Sequence, residues 1–258
     1  VLLFTHVCHP SLANDNLSGI AVATMLAKHL AGRPRALTYR FVFAPTTIGS
    51  ITWLSLNEDR VGRIRHGLVL ASLGDRGPFV YKRSRRGDSV IDRVAEHVLG
   101  GVAGSSVEQF SPYGYDERQF CSPGFNLPVG RLTRTPNGRY PEYHTSADNL
   151  DFISTESMQQ SVDLCLRICS MLESNLVYRN LSPKCEPRLG PRNLFQNVGG
   201  RGPSEIEHAV LWVLSMCDGS MDLLAVATRS GIPYPVISEA ADALREAGLL
   251  QPVEGRDA

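Results

Sequence analysis

An unbroken apolar run, Val1-Leu2-Leu3-Phe4, opens the chain, and further runs rich in β-branched or aromatic residues follow at 39–44, 67–73 and 125–132. Between these strand candidates, apolar positions recur at helical spacing over 17–30, 50–64 and 89–99, with a longer stretch over 154–172. Strands alternating with helices in this order predict βαβ units, and so an α/β fold with a mostly parallel sheet covered by helices on both faces. A strand that starts at residue 1, with no Met and no leading turn, predicts a further N-terminal part in the natural protein.

The alternation stops near residue 172. Residues 173–203 are rich in Pro, Gly and Asn, as in Ser182-Pro183-Lys184-Cys185-Glu186-Pro187 and Gly199-Gly200-Arg201-Gly202-Pro203, and read as an extended arm and linker. Three helical segments follow at 204–216, 222–229 and 235–247, the last two joined by Ser230-Gly231-Ile232-Pro233, and then a short apolar strand at 249–253. That order predicts a small C-terminal winged helix. The expected division is a core at 1–172, a linker at 173–203 and a winged-helix domain at 204–258.

Composition narrows the class. With 43% hydrophobic and 20% charged residues the chain is neither disordered nor fibrous. No apolar run approaches the roughly 18 residues of a membrane span and no signal peptide opens it, so a cytoplasmic protein is expected. Six cysteines without CxxC pairs read as reduced thiols.

Charge is balanced overall but not locally. Residues 204–258 hold nine acids and three bases, a net −6, which leaves +6 on the rest, where Arg83, Arg85 and Arg86 share one loop. The presumed recognition helix carries Glu239, Asp242 and Glu246 against Arg245 alone. A DNA reader needs several cations to neutralise phosphates, so the winged helix is expected to bind a protein partner or to self-associate, with neither nucleic acid nor membrane as partner.

In open α/β sheets, ligands bind beyond the carboxyl ends of the strands, and the residues there are metal-ligand types. The first strand runs into Thr5-His6-Val7-Cys8-His9-Pro10, followed by Asn14-Asp15-Asn16-Leu17-Ser18-Gly19 at a helix start. The third ends Leu73-Gly74-Asp75, and a later loop reads Tyr143-His144-Thr145-Ser146-Ala147-Asp148.

N-D-N-x-S-G, strand-G-D and Y-H-T-S-A-D together resemble the co-catalytic zinc aminopeptidase and carboxypeptidase superfamily. CHPSLAN (8–14), DERQFCSPGFNLPVG (116–130) and PEYHTSADN (141–149), with a terminal winged helix, further resemble a bacterial aminopeptidase-like subfamily. The resemblance implies a zinc hydrolase that cleaves a terminal amide of a peptide or aminoacyl conjugate through zinc-activated water. It implies His9 and Asp75 on one metal, Asp15 as a bridge and His144 on a second; His6 is left as a residue that backs a ligand or lines the pocket.

One motif departs from the pattern. Where the superfamily carries two adjacent glutamates, a general base and a metal ligand, this chain reads Ala44-Pro45-Thr46-Thr47-Ile48-Gly49-Ser50, whereas the subfamily keeps the first as P-E-T-I-G-S. Thr46 cannot act as a base near neutral pH, and loss of a positioned base costs about 10²- to 10⁴-fold in rate. One zinc per chain is therefore expected rather than two.

The Asp116-Glu117-Arg118 loop matches a segment that contacts substrate in the superfamily. Glu117 is the candidate replacement acid/base, and Asp116, Arg118 and Tyr143 are candidate substrate contacts. Two alternatives stand beside the hydrolase: a catalytically impaired scaffold that keeps the fold for binding, and a winged-helix nucleic-acid-binding regulator, which the acidic recognition helix disfavours.

Overall fold

The computed structural model describes residues 1–32, 34–195 and 202–257. The chain divides into two compact units, Val1–Leu172 and Glu173–Ala258.

The first unit is built on six strands: β1 (Leu2–His6), β2 (Arg40–Ala44), β3 (Gly67–Leu70), β4 (Val80–Lys82), β5 (Ser106–Glu108) and β6 (Val129–Thr133). Their order is β2-β1-β3-β6-β4-β5. β1, β2, β3 and β6 run parallel, while β4 pairs antiparallel with β6 and parallel with β5. Helices α1 (Gly19–Ala31), α2 (Ile48–Leu56), α3 (Val90–Gly100), α4 (Glu117–Phe120) and α5 (Thr155–Ser174) flank this mostly parallel sheet.

Side chains alternate across a strand, and here both faces are apolar. Leu2 and Phe4 of β1, Val42 of β2, Val69 of β3 and Val129 of β6 share one core with Leu54 of α2 and Phe120 of α4. The alternate positions Leu3, Leu68 and Leu70, on the opposite face, are just as fully buried. Such a sheet leaves the strand ends as the places where polar chemistry can gather.

β4 is held by a polar anchor. The Tyr81 hydroxyl donates to Asp92 Oδ1 at 2.8 Å, and Asp92 also accepts from the Ser84 amide at 2.7 Å and closes the Ser89 capping box of α3. Gly130 on β6 makes room for that ring: a Cβ there would run into the Tyr81 side chain. The basic loop after β4 is tied down too, Arg83 on Glu96 at 2.7 Å, with Arg85 and Arg86 both donating to Asn126.

The second unit contains β7 (Leu176–Asn180), α6 (Glu205–Met216), β8 (Asp218–Asp222), α7 (Leu223–Ser230), α8 (Tyr234–Glu246) and β9 (Leu250–Asp257). β7 is the central strand, antiparallel to both β8 and β9. Val210, Val213, Leu224, Ile237 and Leu244 are buried on the three helices. Asp222 caps α7 by accepting the Ala225 amide at 2.7 Å, and Gly231, at φ +71°, ends it in the left-handed conformation that glycine adopts without strain. This is a winged helix.

Residues 176–180, expected in an extended arm, are thus a paired strand, because Val177 finds its partner in Asp222 of β8 and Leu176 and Tyr178 find theirs in Asp257 and Pro252 of β9. The Gly199-Gly200-Arg201 part of the expected linker lies outside the described residues. Among the described residues no helix is long and apolar enough to cross a membrane.

Candidate metal centre

β1 delivers His6 to the carboxyl edge of the sheet, level with Ala44 at the end of β2. The chain then turns through Cys8 and His9 into a tight helical turn, Ala13–Ser18, that leads into α1. Polar side chains fix this turn. Asn16 Nδ2 donates to Thr5 Oγ1 at 2.8 Å and to the His6 carbonyl at 3.1 Å, while Asn16 Oδ1 accepts the Ser72 amide at 3.1 Å. Asn14 Oδ1 accepts the Gly74 amide at 2.9 Å, and Ser18 Oγ accepts the Leu73 amide at 3.0 Å. From the other side, the Asp148 carboxylate takes the amides of Asn14 at 2.6 Å and Asp15 at 3.0 Å. Gly19 is required because a Cβ there would strike the Asn16 side chain.

In N-D-N-x-S-G, then, the two asparagines and the serine stitch the turn to β1 and to the loop after β3, and the aspartate between them is left for other work. Asp15 is buried and its two oxygens face different histidines. Oδ1 lies 2.8 Å from His6 Nε2, and Oδ2 lies 3.1 Å from His144 Nε2 and 3.9 Å from His9 Nε2. The His6 ring is stacked on Tyr115 at 4.9 Å, whose hydroxyl meets Ser72 Oγ at 3.0 Å. The rings of His9 and His144 meet edge-on at 4.7 Å, and Tyr143 stacks on His144 at 3.9 Å.

His9, Asp15 and His144 place one potential ligand atom each within 4.8 Å of one another, the only such group among the described residues. Two imidazole nitrogens and a carboxylate oxygen are donors that suit zinc, and three protein ligands are the number a catalytic zinc site uses. The exposed side of His9 and His144 leaves that centre open to solvent, with side chains 36% and 49% accessible.

The structure does not bring Asp75 into this group. Its Oδ1 accepts the Thr135 hydroxyl at 2.7 Å and the Gly77 amide at 2.7 Å, and its Oδ2 accepts the Thr135 amide at 3.2 Å and Asn14 Nδ2 at 3.0 Å. Both oxygens are consumed in bracing the loops around the site.

Glu117, the expected acid/base, is likewise turned inward. It is fully buried and its carboxylate lies 2.6 Å from Lys82 Nζ, with Arg131 at 3.9 Å. This is a buried ion pair under the loop, on the β4 and β6 side of α4.

The neighbouring carboxylate has different partners. Asp116, also fully buried, accepts Ser50 Oγ at 2.6 Å on Oδ1, and its Oδ2 has no hydrogen-bond partner. Burial pushes its carboxyl above the ordinary carboxylate range, against the opposing pull of Ser50, Thr46 and His6. Thr46 donates its amide to Cys8 Sγ at 2.9 Å, and Cys8, its thiol raised by burial, feels the charges of both Asp116 and Asp15.

Arg118 is half-buried, its Nε without a partner. A cavity of about 420 Å³ is lined in part by Asp75, Arg76, Arg139, Tyr140 and Glu142, and Tyr143, edge-on to Tyr140 at 5.5 Å and stacked on His144 at 3.9 Å, links that lining to the histidine. His6, expected to back a ligand or line the pocket, holds Asp15 Oδ1, whereas Asp148, the clamp on the backbone of Asp15, carried no expected role.

An open-ended α/β sheet with this His-Asp-His rim, followed by a winged helix, defines a zinc-aminopeptidase-like fold. Within that class the chain belongs to the family described as a domain of unknown function, DUF4910, whose model matches residues 1–175; residues 176–252 match a winged helix-turn-helix model.

A Clostridium acetobutylicum protein named "Putative polysaccharide biosynthesis protein with aminopeptidase-like domain" is 47% identical over 253 residues, 97% of this chain and 58% of the relative. This chain thus spans little more than half the length of that curated relative. A solved structure from the same organism, described as a "putative peptidase", aligns with a TM-score of 0.88 at 47% identity, over 98% of this chain and 57% of that one. The aminopeptidase of Aneurinibacillus sp. strain AM-1 aligns with a TM-score of 0.55 at 21% identity, over 67% of this chain and 43% of the other. The zinc aminopeptidase BSAP of Bacillus subtilis gives 0.55 at 20%, over 66% and 45%. At that identity the last two show the fold.

Proposed function

We propose that this chain is a zinc-dependent hydrolase that cleaves a terminal amide of a peptide or aminoacyl conjugate. The observation that carries the reading is the convergence of His9, Asp15 and His144 on the carboxyl edge of a sheet with an aminopeptidase fold.

A zinc ion held there supplies Lewis acidity, polarising a carbonyl and acidifying water. The chain's own contribution is to hold the three donors. Asp148 fixes the backbone of Asp15, His6 fixes one of its oxygens, and the second oxygen is left to the shared face of His9 and His144. With Thr46 and Thr47 in place of two carboxylates, the same residues supply donors for one ion. The neighbouring cavity of about 420 Å³ receives the substrate residue beside the scissile bond.

The name of the C. acetobutylicum relative directs the substrate screen towards amides on sugars as well as peptides. Purified protein is assayed for zinc by elemental analysis and for turnover on aminoacyl anilides, dipeptides and N-acyl amino sugars. About one zinc per chain, lost in His144→Ala together with turnover, supports the reading. Protein that keeps zinc in His144→Ala and His9→Ala alike sinks it. Zinc without turnover on any substrate would favour the scaffold reading, which the missing carboxylates at 46 and 47 independently point to.

A further inference from the structure

Tyr115 is linked to Asp15 through His6. It is buried, in the loop between β5 and α4, and its ring lies on the His6 imidazole with centroids 4.9 Å apart and planes 21° from parallel. His6 in turn sets Nε2 against Asp15 Oδ1 at 2.8 Å, and its Nδ1 faces the Asn16 amide nitrogen at 3.4 Å. That nitrogen only donates, so the proton of the neutral ring belongs on Nε2, where it points at Asp15. An imidazole keeps such a direction only while its plane is fixed, and the Tyr115 ring covers its face.

Tyr115 is itself held in place. Its hydroxyl meets Ser72 Oγ at 3.0 Å, and the Arg131 guanidinium lies 5.8 Å from its ring centroid. Ser72 sits at φ +47°, a left-handed conformation that strains a residue with a side chain, and Asn16 Oδ1 holds it there by accepting its amide at 3.1 Å. Earlier in the loop, the Tyr113 carbonyl accepts Lys82 Nζ at 2.7 Å, and Gly114 packs so closely on Glu117 and Lys82 that a Cβ would collide with both. The buried Lys82 and Glu117 pair thus anchors the loop from which Tyr115 reaches His6.

Resting on the hydrolase reading, we infer that Tyr115 is a positioning residue of the metal centre. It holds the His6 ring so that Nε2–H occupies Asp15 Oδ1, and Asp15 then offers the ion Oδ2 alone, on the side of His9 and His144. Groups that back a metal ligand fix its orientation and are worth about 10- to 100-fold in metal affinity. The loop expected to contact substrate therefore also orients a ligand of the metal from behind.

The test reads the zinc affinity of the whole chain by competition with a chromophoric chelator. Tyr115→Leu, which removes the ring, is expected to weaken zinc binding by about 10-fold or more, with one zinc per chain regained at saturating metal. Tyr115→Phe keeps the stacked ring and should stay within about threefold of the parent, although it loses the bond to Ser72. His6→Ala should weaken zinc comparably, and adding Tyr115→Leu to it should change affinity by less than about twofold, because a residue that acts through His6 has nothing left to act on. Phe120→Leu, the same change at a buried ring that packs on Phe4, reports what lost packing alone does and should leave zinc affinity within about twofold of the parent. A Tyr115→Leu chain with parental affinity, losses that multiply in the double variant, or a Phe120→Leu loss as large as that of Tyr115→Leu overturns the positioning role and leaves the hydrolase reading standing. If Tyr115→Leu fails to fold, Tyr115→Met, which fills more of the space but offers no ring face, takes its place under the same outcomes. A parent chain that binds no zinc removes the hydrolase reading, and this role with it.

Discussion

Asp75 and Thr135 are joined twice: the threonine hydroxyl donates to Asp75 Oδ1 at 2.7 Å and the threonine amide to Oδ2 at 3.2 Å. A carboxylate whose oxygens are taken by four donors is a brace between loops. Asp75→Asn, which sets an amide donor against a donor, is expected to destabilise the fold by about 1–3 kcal/mol while leaving zinc stoichiometry at saturating metal unchanged. Denaturant melts alongside elemental analysis check this; loss of zinc from a folded variant would return Asp75 to the ligand set.

Glu117 and Lys82 make the opposite kind of acid test. Both are buried, 2.6 Å apart, and removing one partner leaves the other charged and unpaired. Glu117→Gln should cost about 3–5 kcal/mol in a urea melt. A loss under about 1 kcal/mol, the size of an exposed pair, would mean that this carboxylate is free for another task.

Thiol reactivity follows burial. Cys121, Cys165, Cys169 and Cys217 are buried, Cys8 is half-buried and Cys185 is exposed, all as free thiols. Desolvation suppresses the reactive thiolate, and it pushes Cys217 up to about 12. Native protein at pH 8 should release colour from an aromatic disulfide reagent rapidly at Cys185, slowly at Cys8, and at the other four only in denaturant. Three or more fast thiols in native protein would contradict the packing.

The exposed positions of α8 include Glu239, Asp242 and Glu246. The winged helix should therefore bind duplex DNA at physiological salt no better than an acidic control protein. Submicromolar affinity that falls steeply with salt, read by fluorescence anisotropy, would overturn the charge argument.

The long elements were legible in the sequence because each carries its own periodicity. Leu2–His6, Arg40–Ala44, Gly19–Ala31 and Thr155–Ser174 all fall within a few residues of their expected places. β4 and β5 were not, being three residues each and partly polar, and the reversal of β4 against β6 leaves no local mark. The site divides the same way. His9, Asp15 and His144 could be placed from motif and strand end, since a rim position follows from sheet geometry. Asp75 and Glu117 could not be judged, because what occupies them comes from Thr135, 60 residues on in the chain, and from Lys82, 35 residues back. A side chain's availability is a tertiary property.

β7 comes before the helices of its unit in the chain but lies at the middle of its sheet. A gene fragment that begins anywhere in 181–203, where the proline-rich stretch invites a cut, would encode all three helices and both outer strands and still lack what those strands pair with. The hereditary unit of the winged helix therefore starts upstream of Leu176. A recombination breakpoint that falls in the apparent linker would deliver a broken module to its recipient, and the intact one can only travel with the tail of α5 attached.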